Sequence, residues 1–457
     1  MRRLTPASLE GPRRGARIVA PRLTPAPVPV TAVADVTYGR PVRPLLRTSR
    51  NSLATLLTCA LGVTLAVSSV PAAQAGQSAQ AARKKAETTQ VRHTSFDLAA
   101  DFARGSRSGA VVSGDAVRLR YPKATRKLGT TTYDVGTWTS PWVDEKFAFT
   151  ELIPSWQAKT PGRSLVEVQV RLRTKSGTRT TTGSWDTVAR WTKDNTFFKR
   201  TSLAAQGDDL ARVAVDTVKA NSSAGATGWQ VKVVLMRRKG APARPQVTRV
   251  GAMTSKVVAR TTTSKPGKVV GTVIDVPRYS QMTHRGHHPE WGNGGEAWCS
   301  PTSTAMVLEH YGANPAAGHA FKSGHADAVV DWTAMQTYDH GYRGTGNWAF
   351  NAAHAGSHLR RTYVTRLADL RAAEPFIKAG TPLIVSVAFA KGGLRGAPIS
   401  STAGHLMVLV GFTAKGDVVV NDPAASSNAG VRRTYDRAQF EKAWLTKSGG
   451  LTYVYED

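Results

Sequence analysis

Cysteine is nearly absent from this chain. Only Cys59 and Cys299 occur in 457 residues. Two thiols cannot supply a disulfide framework, so the fold must rest on ordinary cores, and 457 residues leave room for two or three of them. Acid is also scarce, with 31 Asp and Glu against 61 Lys and Arg and a formal net charge of +30. Long apolar runs are missing except for residues 53–70, which carry no charge. No other stretch is expected to cross a bilayer.

The single apolar run removes one of the two cysteines. It ends in Pro71-Ala72-Ala73-Gln74-Ala75, and Ala73-Gln74-Ala75 is a small-x-small cleavage signature. Residues 1–75 are therefore read as a signal peptide cut near Ala75, with Cys59 inside the discarded part. Its n-region is over-long, which places the expected translation start downstream of Met1. The mature protein is expected outside the cell, without a membrane segment and as a monomer. It would carry one thiol, Cys299, into an oxidising compartment.

The basic residues are scattered rather than clustered. In Val170-Arg171-Leu172-Arg173 they alternate with apolar ones, which is the pattern of a solvated strand face. Nucleic-acid binding is not expected; attraction to an anionic cell envelope is.

Residues 76–91, rich in Gln, Ala and Lys, read as a flexible leader. From residue 92 to 257 short alternating runs recur between Gly, Ser, Pro and Thr turns, as in Leu165-Val166-Glu167-Val168-Gln169-Val170 and Trp229-Gln230-Val231-Lys232-Val233. Period-2 strands at this spacing indicate an all-β, jelly-roll-like sandwich. Six of the eleven tryptophans fall here: Trp138, Trp142, Trp156, Trp185, Trp191 and Trp229. Core positions account for such residues most simply; any that are exposed could stack on cell-wall carbohydrate. Residues 258–270 have linker composition and are expected to separate two independently folding units.

The remaining residues, 271–457, place helices first and strands after, an α+β arrangement. Cys299 follows the turn-forming stretch Trp291-Gly292-Asn293-Gly294-Gly295 and precedes a helical pattern over 300–311, with Pro301 in its first turn. A thiol at a helix N-terminus meets unpaired backbone N–H groups and the positive end of the dipole, both of which favour the thiolate. A nucleophile, rather than a buried structural thiol, is the stronger reading. Such a thiol needs a base and a group to orient that base. His405, at the start of the apolar strand over 405–412, is the leading base. Asp422 ends the next strand, and a hairpin would set the two side by side. Asn421 has the opposite parity, so only one of the pair can face His405; Asp422 is chosen and Asn421 held in reserve. A further loop, Thr283-His284-Arg285-Gly286-His287-His288-Pro289-Glu290, is rich in metal-ligating types, but its irregular intervals and Arg285 favour a cleft rim over zinc. No metal and no cofactor are expected.

Taken together, Val276-Pro277-Arg278-Tyr279-Ser280-Gln281, Trp298-Cys299-Ser300-Pro301-Thr302-Ser303, Gly404-His405-Leu406-Met407-Val408 and Asn421-Asp422-Pro423 resemble the peptidase C39-like family of papain-type cysteine peptidases. The resemblance covers residues 271–457. It implies a papain-like domain with Cys299 as nucleophile, His405 as general base, Asp422 as orienter and Gln281 as oxyanion-hole donor, acting on a peptide or protein. Ser300 departs from the Gly more common after the family's Cys, and the interval from Gln281 to Cys299 is long. An acyltransferase using the same thiol, and a non-catalytic envelope-binding protein on this scaffold, are the alternative readings.

Overall fold

A computed structural model describes residues 88–457 except 208, 261 and 317–326. The expected signal peptide, Cys59 and most of the expected leader lie outside the described residues. The first strand, Gln90–Phe96, begins two residues inside the leader as drawn from sequence.

Two antiparallel sheets make up the N-terminal half, one seven-stranded and one nine-stranded. Ser164–Ser176 and Ala226–Arg238 form the centre of the larger sheet, with Val168 opposite Val233 and Val170 opposite Val231. Along the first of these strands Val166, Val168, Val170 and Leu172 point into the core, while Gln169, Arg171 and Arg173 lie on the other face, as alternation requires. In the smaller sheet Glu151–Lys159 pairs with Gln246–Lys256, which pairs in turn with Gln90–Phe96. One short helix, α1 (Ala99–Ala103), places Phe102 against Trp138.

Trp138, Trp156, Trp191 and Trp229 are core residues, each no more than 1% exposed. Trp142 and Trp185 are half-buried on the outer face, where cations cover them. Arg171 and Lys232 lie 4.5 and 3.9 Å from the Trp185 ring centre; Arg171 and Arg173 lie 5.1 and 4.3 Å from that of Trp142. The aromatic faces are thus engaged by guanidinium and ammonium groups.

The C-terminal half has a six-stranded antiparallel sheet in the order Arg361–Arg366, Leu451–Glu456, Leu383–Phe389, Thr402–Phe412, Val418–Asn421, Arg432–Tyr435. Helices α2 (Cys299–His310), α3 (Val329–Thr337) and α4 (Trp348–Ala355) precede it; α5 (Leu370–Lys378) and α6 (Arg437–Leu445) lie within its connections. α5 runs through Pro375 rather than splitting there. Leu406 and Val408 share a core with Met306 and Val307 of α2, whereas Met407 and Leu409 join α5 and α6 on the opposite face.

The halves are not separate bodies: residues from 83 onward form one compact unit. Ala349, Phe350 and Ala353 of α4 belong to the sandwich core, with Phe350 edge-on to Trp156, and Ile153 and Met253 of the smaller sheet belong to the core under α2. Gln157 donates to the carbonyls of Gly356, Leu359 and Arg360; Ser155 accepts the N–H of Val364; Arg366 pairs with Glu151. The 258–270 stretch is likewise fastened, because Ser264 and Gly267 donate backbone N–H groups to Glu441 and Glu374, and Arg260 pairs with Asp369. The two halves thus pack on each other rather than hang on a loose tether. The joint is a buried interface made by one face of the smaller sheet together with the Arg200–Ser202 segment of the larger one.

Candidate active site

Helix α2 begins at Cys299 itself, with Trp298 as its N-cap and no side-chain cap. The first-turn N–H groups are left for whatever faces them. Trp298 is fixed by full burial and by donating from its indole N–H to the carbonyl of Trp291, which anchors the preceding Gly-rich loop. Ser300, buried behind the thiol, contacts the hydroxyl of Tyr453 at 3.0 Å.

His405 lies near the start of the Thr402–Phe412 strand, where the pairing register shifts between Val387 and Phe389. Its Nε2 meets Asp422 Oδ1 at 2.7 Å, so its other ring nitrogen is the one left for Cys299, whose thiol helps to raise the pKa of the ring. Asp422 is buried just beyond the Val418–Asn421 strand. Its Oδ1 also accepts the N–H of Ala424 at 3.0 Å, and its Oδ2 accepts the hydroxyl of Tyr435 at 2.8 Å. Asn421 faces the other way, donating to the carbonyls of Val276 and Pro277 and accepting from Arg432. The parity argument is visible in that split.

The charges support one another. Burial alone would neutralise His405, but the Asp422 carboxylate, and then Cys299, hold it charged up to about pH 10. Burial raises the pKa of Cys299, yet His405 together with backbone groups at Leu406 and Ser300 brings it below the ordinary thiol value. Asp422, opposed by burial, is drawn down by His405 and Tyr435. These shifts move the pair towards a thiolate beside an imidazolium.

Gln281 opens a short 3₁₀ turn, Gln281–His284, capped by Ser280. Its backbone N–H donates to the carbonyl of Pro423, beside Asp422, and its side-chain Nε2 donates to the carbonyl of Glu296 at 2.6 Å. The residue thus ties the Asp422 turn to the segment three residues before Cys299.

The expected cleft rim at the His-rich loop holds only in part. His284 is fully buried, with Nδ1 3.0 Å from Asp331 and Nε2 3.4 Å from Asp327. His287 Nδ1 meets the other oxygen of Asp331 at 3.0 Å. His288, by contrast, is only partly covered and stacks on Trp291. Donor atoms of His284, His287 and Asp331 lie within 4.8 Å of one another, as a metal would need. The same atoms are placed to hydrogen-bond one another. Burial works against charge on His284, but hydrogen bonds to Asp327 and Asp331 raise its pKa to about 9.

Asp327 and Asp331 escaped the sequence reading because each lies far along the chain from its histidine, and Tyr435 because it reaches Asp422 from the neighbouring strand. A parity count outward from Asp422 can suggest a facing partner but not its identity. A cavity of about 800 Å³ lies between the Leu383–Phe389 strand and α6, lined by Phe389, Thr402 and Ala403, within three residues of His405.

Residues 273–451 match the Peptidase_C39 like family, and residues 92–255 match the Peptidase C39 N-terminal domain. Comparison with curated proteins finds no match. Among solved structures, one titled as infectious bursal disease virus, Gt strain, is similar at 13% identity over 36% of this chain and 42% of that one; its TM-score of 0.13 carries no argument about fold.

Proposed function

The chain belongs to the C39-like peptidase family, and from that premise we propose that it is a secreted cysteine peptidase hydrolysing peptide bonds through Cys299, His405 and Asp422 on a papain-like domain. The observation that carries the reading is the buried chain from His405 to Asp422 and Tyr435, with the half-buried Cys299 thiol acting on the charge of the His405 ring. In the proposed reaction the Cys299 thiolate attacks the scissile carbonyl carbon, and the electron pair moves to oxygen. The backbone N–H at Cys299 and the second side-chain N–H of Gln281 then receive the oxyanion. His405 gives its proton to the leaving amine as the C–N bond breaks. It next takes a proton from water, whose oxygen attacks the thioester, and hydrolysis restores the thiolate. Asp422 holds the imidazole in orientation and balances its charge, while Tyr435 holds Asp422.

Two tests bear on this reading. Cys299→Ala should abolish turnover while leaving the thermal unfolding midpoint within a few degrees. Alkylation of Cys299 by iodoacetamide at pH 5 should far outpace that of free cysteine. A Cys299→Ala variant with full activity, or a thiol no more reactive than free cysteine, would remove the basis for the proposal.

The sandwich is proposed to hold the enzyme near the cell wall by charge rather than by sugar stacking. Support comes from the covered faces of Trp142 and Trp185 and from the cations Arg171, Arg173 and Lys232 beside them. Binding of the full chain to purified walls should weaken steeply with salt. Binding that survives high salt would favour stacking instead.

A further inference from the structure

The segment from Gln281 to Glu290 brings two imidazoles to the first turn of α3. His284 Nδ1 stands 3.0 Å from Asp331 Oδ2, and His287 Nδ1 stands 3.0 Å from Asp331 Oδ1. The two rings meet edge to face with centres 5.3 Å apart. One donor atom from each of the three residues lies within 4.8 Å of the other two. Ligand atoms about 2.0–2.2 Å from a single zinc stand roughly 3.0–3.5 Å apart, so each nitrogen–oxygen spacing suits coordination. The same spacing suits a hydrogen bond; the outer partners and the charge separate the two.

His284 turns its second ring nitrogen, Nε2, to Asp327 Oδ2 at 3.4 Å. A metal-bound histidine typically gives its other N–H to a carboxylate, which fixes the ring and strengthens the ligand. Asn428 Nδ2 donates to the same Asp327 oxygen at 3.2 Å, and Asn428 Oδ1 accepts the N–H of Ser280, whose side chain caps the turn that carries His284. His284, Asp327 and Asp331 are buried, while the His287 side chain is 22% exposed and leaves an ion a way in. The two buried carboxylates carry two negative charges. Matching them by protons alone requires both imidazoles to be charged, ring against ring. One divalent ion and two neutral imidazoles balance the same charge without that repulsion.

We infer that His284, His287 and Asp331 form a zinc site, with Asp327 as the outer partner of His284. Two imidazole nitrogens and a carboxylate are a donor set that zinc takes, whereas calcium and magnesium need oxygen. The site shares no ligand with the Cys299–His405 pair, and its task is to fasten. It ties the segment before the Gly-rich loop to α3. Gly295 of that loop lies so close to His284 that a Cβ there would collide with the His284 carbonyl oxygen. The indole of Trp298, from which α2 begins, is centred 6.4 Å from the His284 ring. Zinc excludes protons from both Nδ1 atoms, so its binding weakens as pH falls; the raised pKa of His284 belongs to the metal-free protein. Sequence intervals pointed away from a metal because one ligand, Asp331, lies 44 positions beyond His287.

The test uses the full chain without an affinity tag, stripped with EDTA and titrated with zinc chloride at neutral pH. Cys299→Ala is titrated beside the wild type, so that a thiolate cannot serve as ligand. Both proteins should bind one zinc per chain, and zinc should raise both thermal unfolding midpoints. Calcium and magnesium in large excess should not displace it. His287→Ala, at the more exposed ligand, should weaken zinc binding at least ~100-fold, and Asp327→Asn about 10–100-fold. His288→Ala, in the same segment but outside the ligand set, should bind as the wild type does. No zinc on either protein, binding lost in Cys299→Ala, binding undiminished in a folded His287→Ala, or a loss as large in His288→Ala would each overturn the inference. Should His287→Ala fail to fold, cobalt(II) bound to the Cys299→Ala protein decides. Visible absorption bands of a four- or five-coordinate ion are expected, and the weak spectrum of six-coordinate cobalt would overturn the site.

Discussion

His405 and His284 are both buried imidazoles held charged by carboxylates, and they differ in one partner. His284 lies between Asp331 and Asp327. His405 lies between Asp422 and the thiol of Cys299. With two acids at hand, His284 has a surplus of negative charge and no reason to recruit more. His405 has one acid and one neutral thiol, and the thiol becomes a second counter-charge only by giving up its proton. On the proposed reading, similar surroundings thus make one histidine a strut and the other half of a reactive pair. A third case marks the boundary. His354 is equally buried but has His358, Arg200 and Lys193 around it, and burial together with those charges drives its pKa well below the ordinary value.

The comparison is broken most severely at Asp422. Replacing it with Asn keeps a hydrogen-bonding group but removes the charge that keeps His405 protonated. We expect kcat to fall on the order of 10²–10⁴-fold. The alkaline limb of the activity profile, set by His405 near pH 10, should move towards neutrality, and pH 5 alkylation of Cys299 should be lost. An unchanged alkaline limb would show that Asp422 does not set the charge on His405.

The matching change at the strut is Asp331→Asn. It leaves His284 with Asp327 alone and His287 without its carboxylate. Breaking a buried charge network of this kind should cost roughly 3 kcal/mol of stability. His284 has a raised pKa, so its stabilising contribution is complete below the unfolded value near 6.5 and is lost as pH rises through about 9. Asp331 has a lowered pKa, so its contribution is present above the unfolded value and lost as pH falls through the folded one. Denaturant titration at pH 6 should show the largest gap between wild type and variant, and a smaller one at pH 10. The alkylation profile of Cys299 should not move. A shift there would mean that the strut also tunes the thiol.

Tyr435→Phe sharpens the comparison most gently. Asp422 keeps its charge, His405 and the Ala424 N–H, and loses one donor. A hydrogen bond to a charged group contributes about 1.5–3 kcal/mol, part of which the remaining partners can recover. We expect at most a tenfold loss in kcat and a small rise in the acid-side pKa of the profile. A loss as large as that of Asp422→Asn would mean that Tyr435 is needed to orient the carboxylate.

The sequence made the pairing of His405 with Asp422 readable and left the partners of His284 hidden, for physical reasons. Cys299 stands where a glycine-rich turn meets Pro301, and His405 lies near the start of one strand while Asp422 follows the end of its neighbour; both signals are local. Asp331 is 44 and 47 positions from the histidines it holds, with no periodicity linking them. The fold divides similarly. Ser164–Ser176 was readable because its outer face is polar. Leu152-Ile153-Pro154-Ser155-Trp156-Gln157-Ala158 and Gly251-Ala252-Met253-Thr254-Ser255 were passed over because both their faces are buried, one by the sandwich and one by the C-terminal half. Strands covered on two sides lose alternation. The absence of charge in those two stretches was the available sign that something else packs there.

The pairing of Gln90–Phe96 with Gln246–Lys256 bears on the order in which the molecule can be assembled. The first strand of the sandwich waits for its last, so the smaller sheet stays open until the chain has been made to residue 256. The fastened stretch of Ser264 and Gly267 emerges next, the Cys299 helix after it, and the loop carrying Asp339, which accepts the N–H of Ser202, later still. A polypeptide delivered from its N-terminus therefore completes the seat for that loop before the loop arrives. Chains released at residue 256 and at 457 should show the same protease resistance within 90–256 if the seat forms unaided. If only the longer chain is protected, the halves must close together.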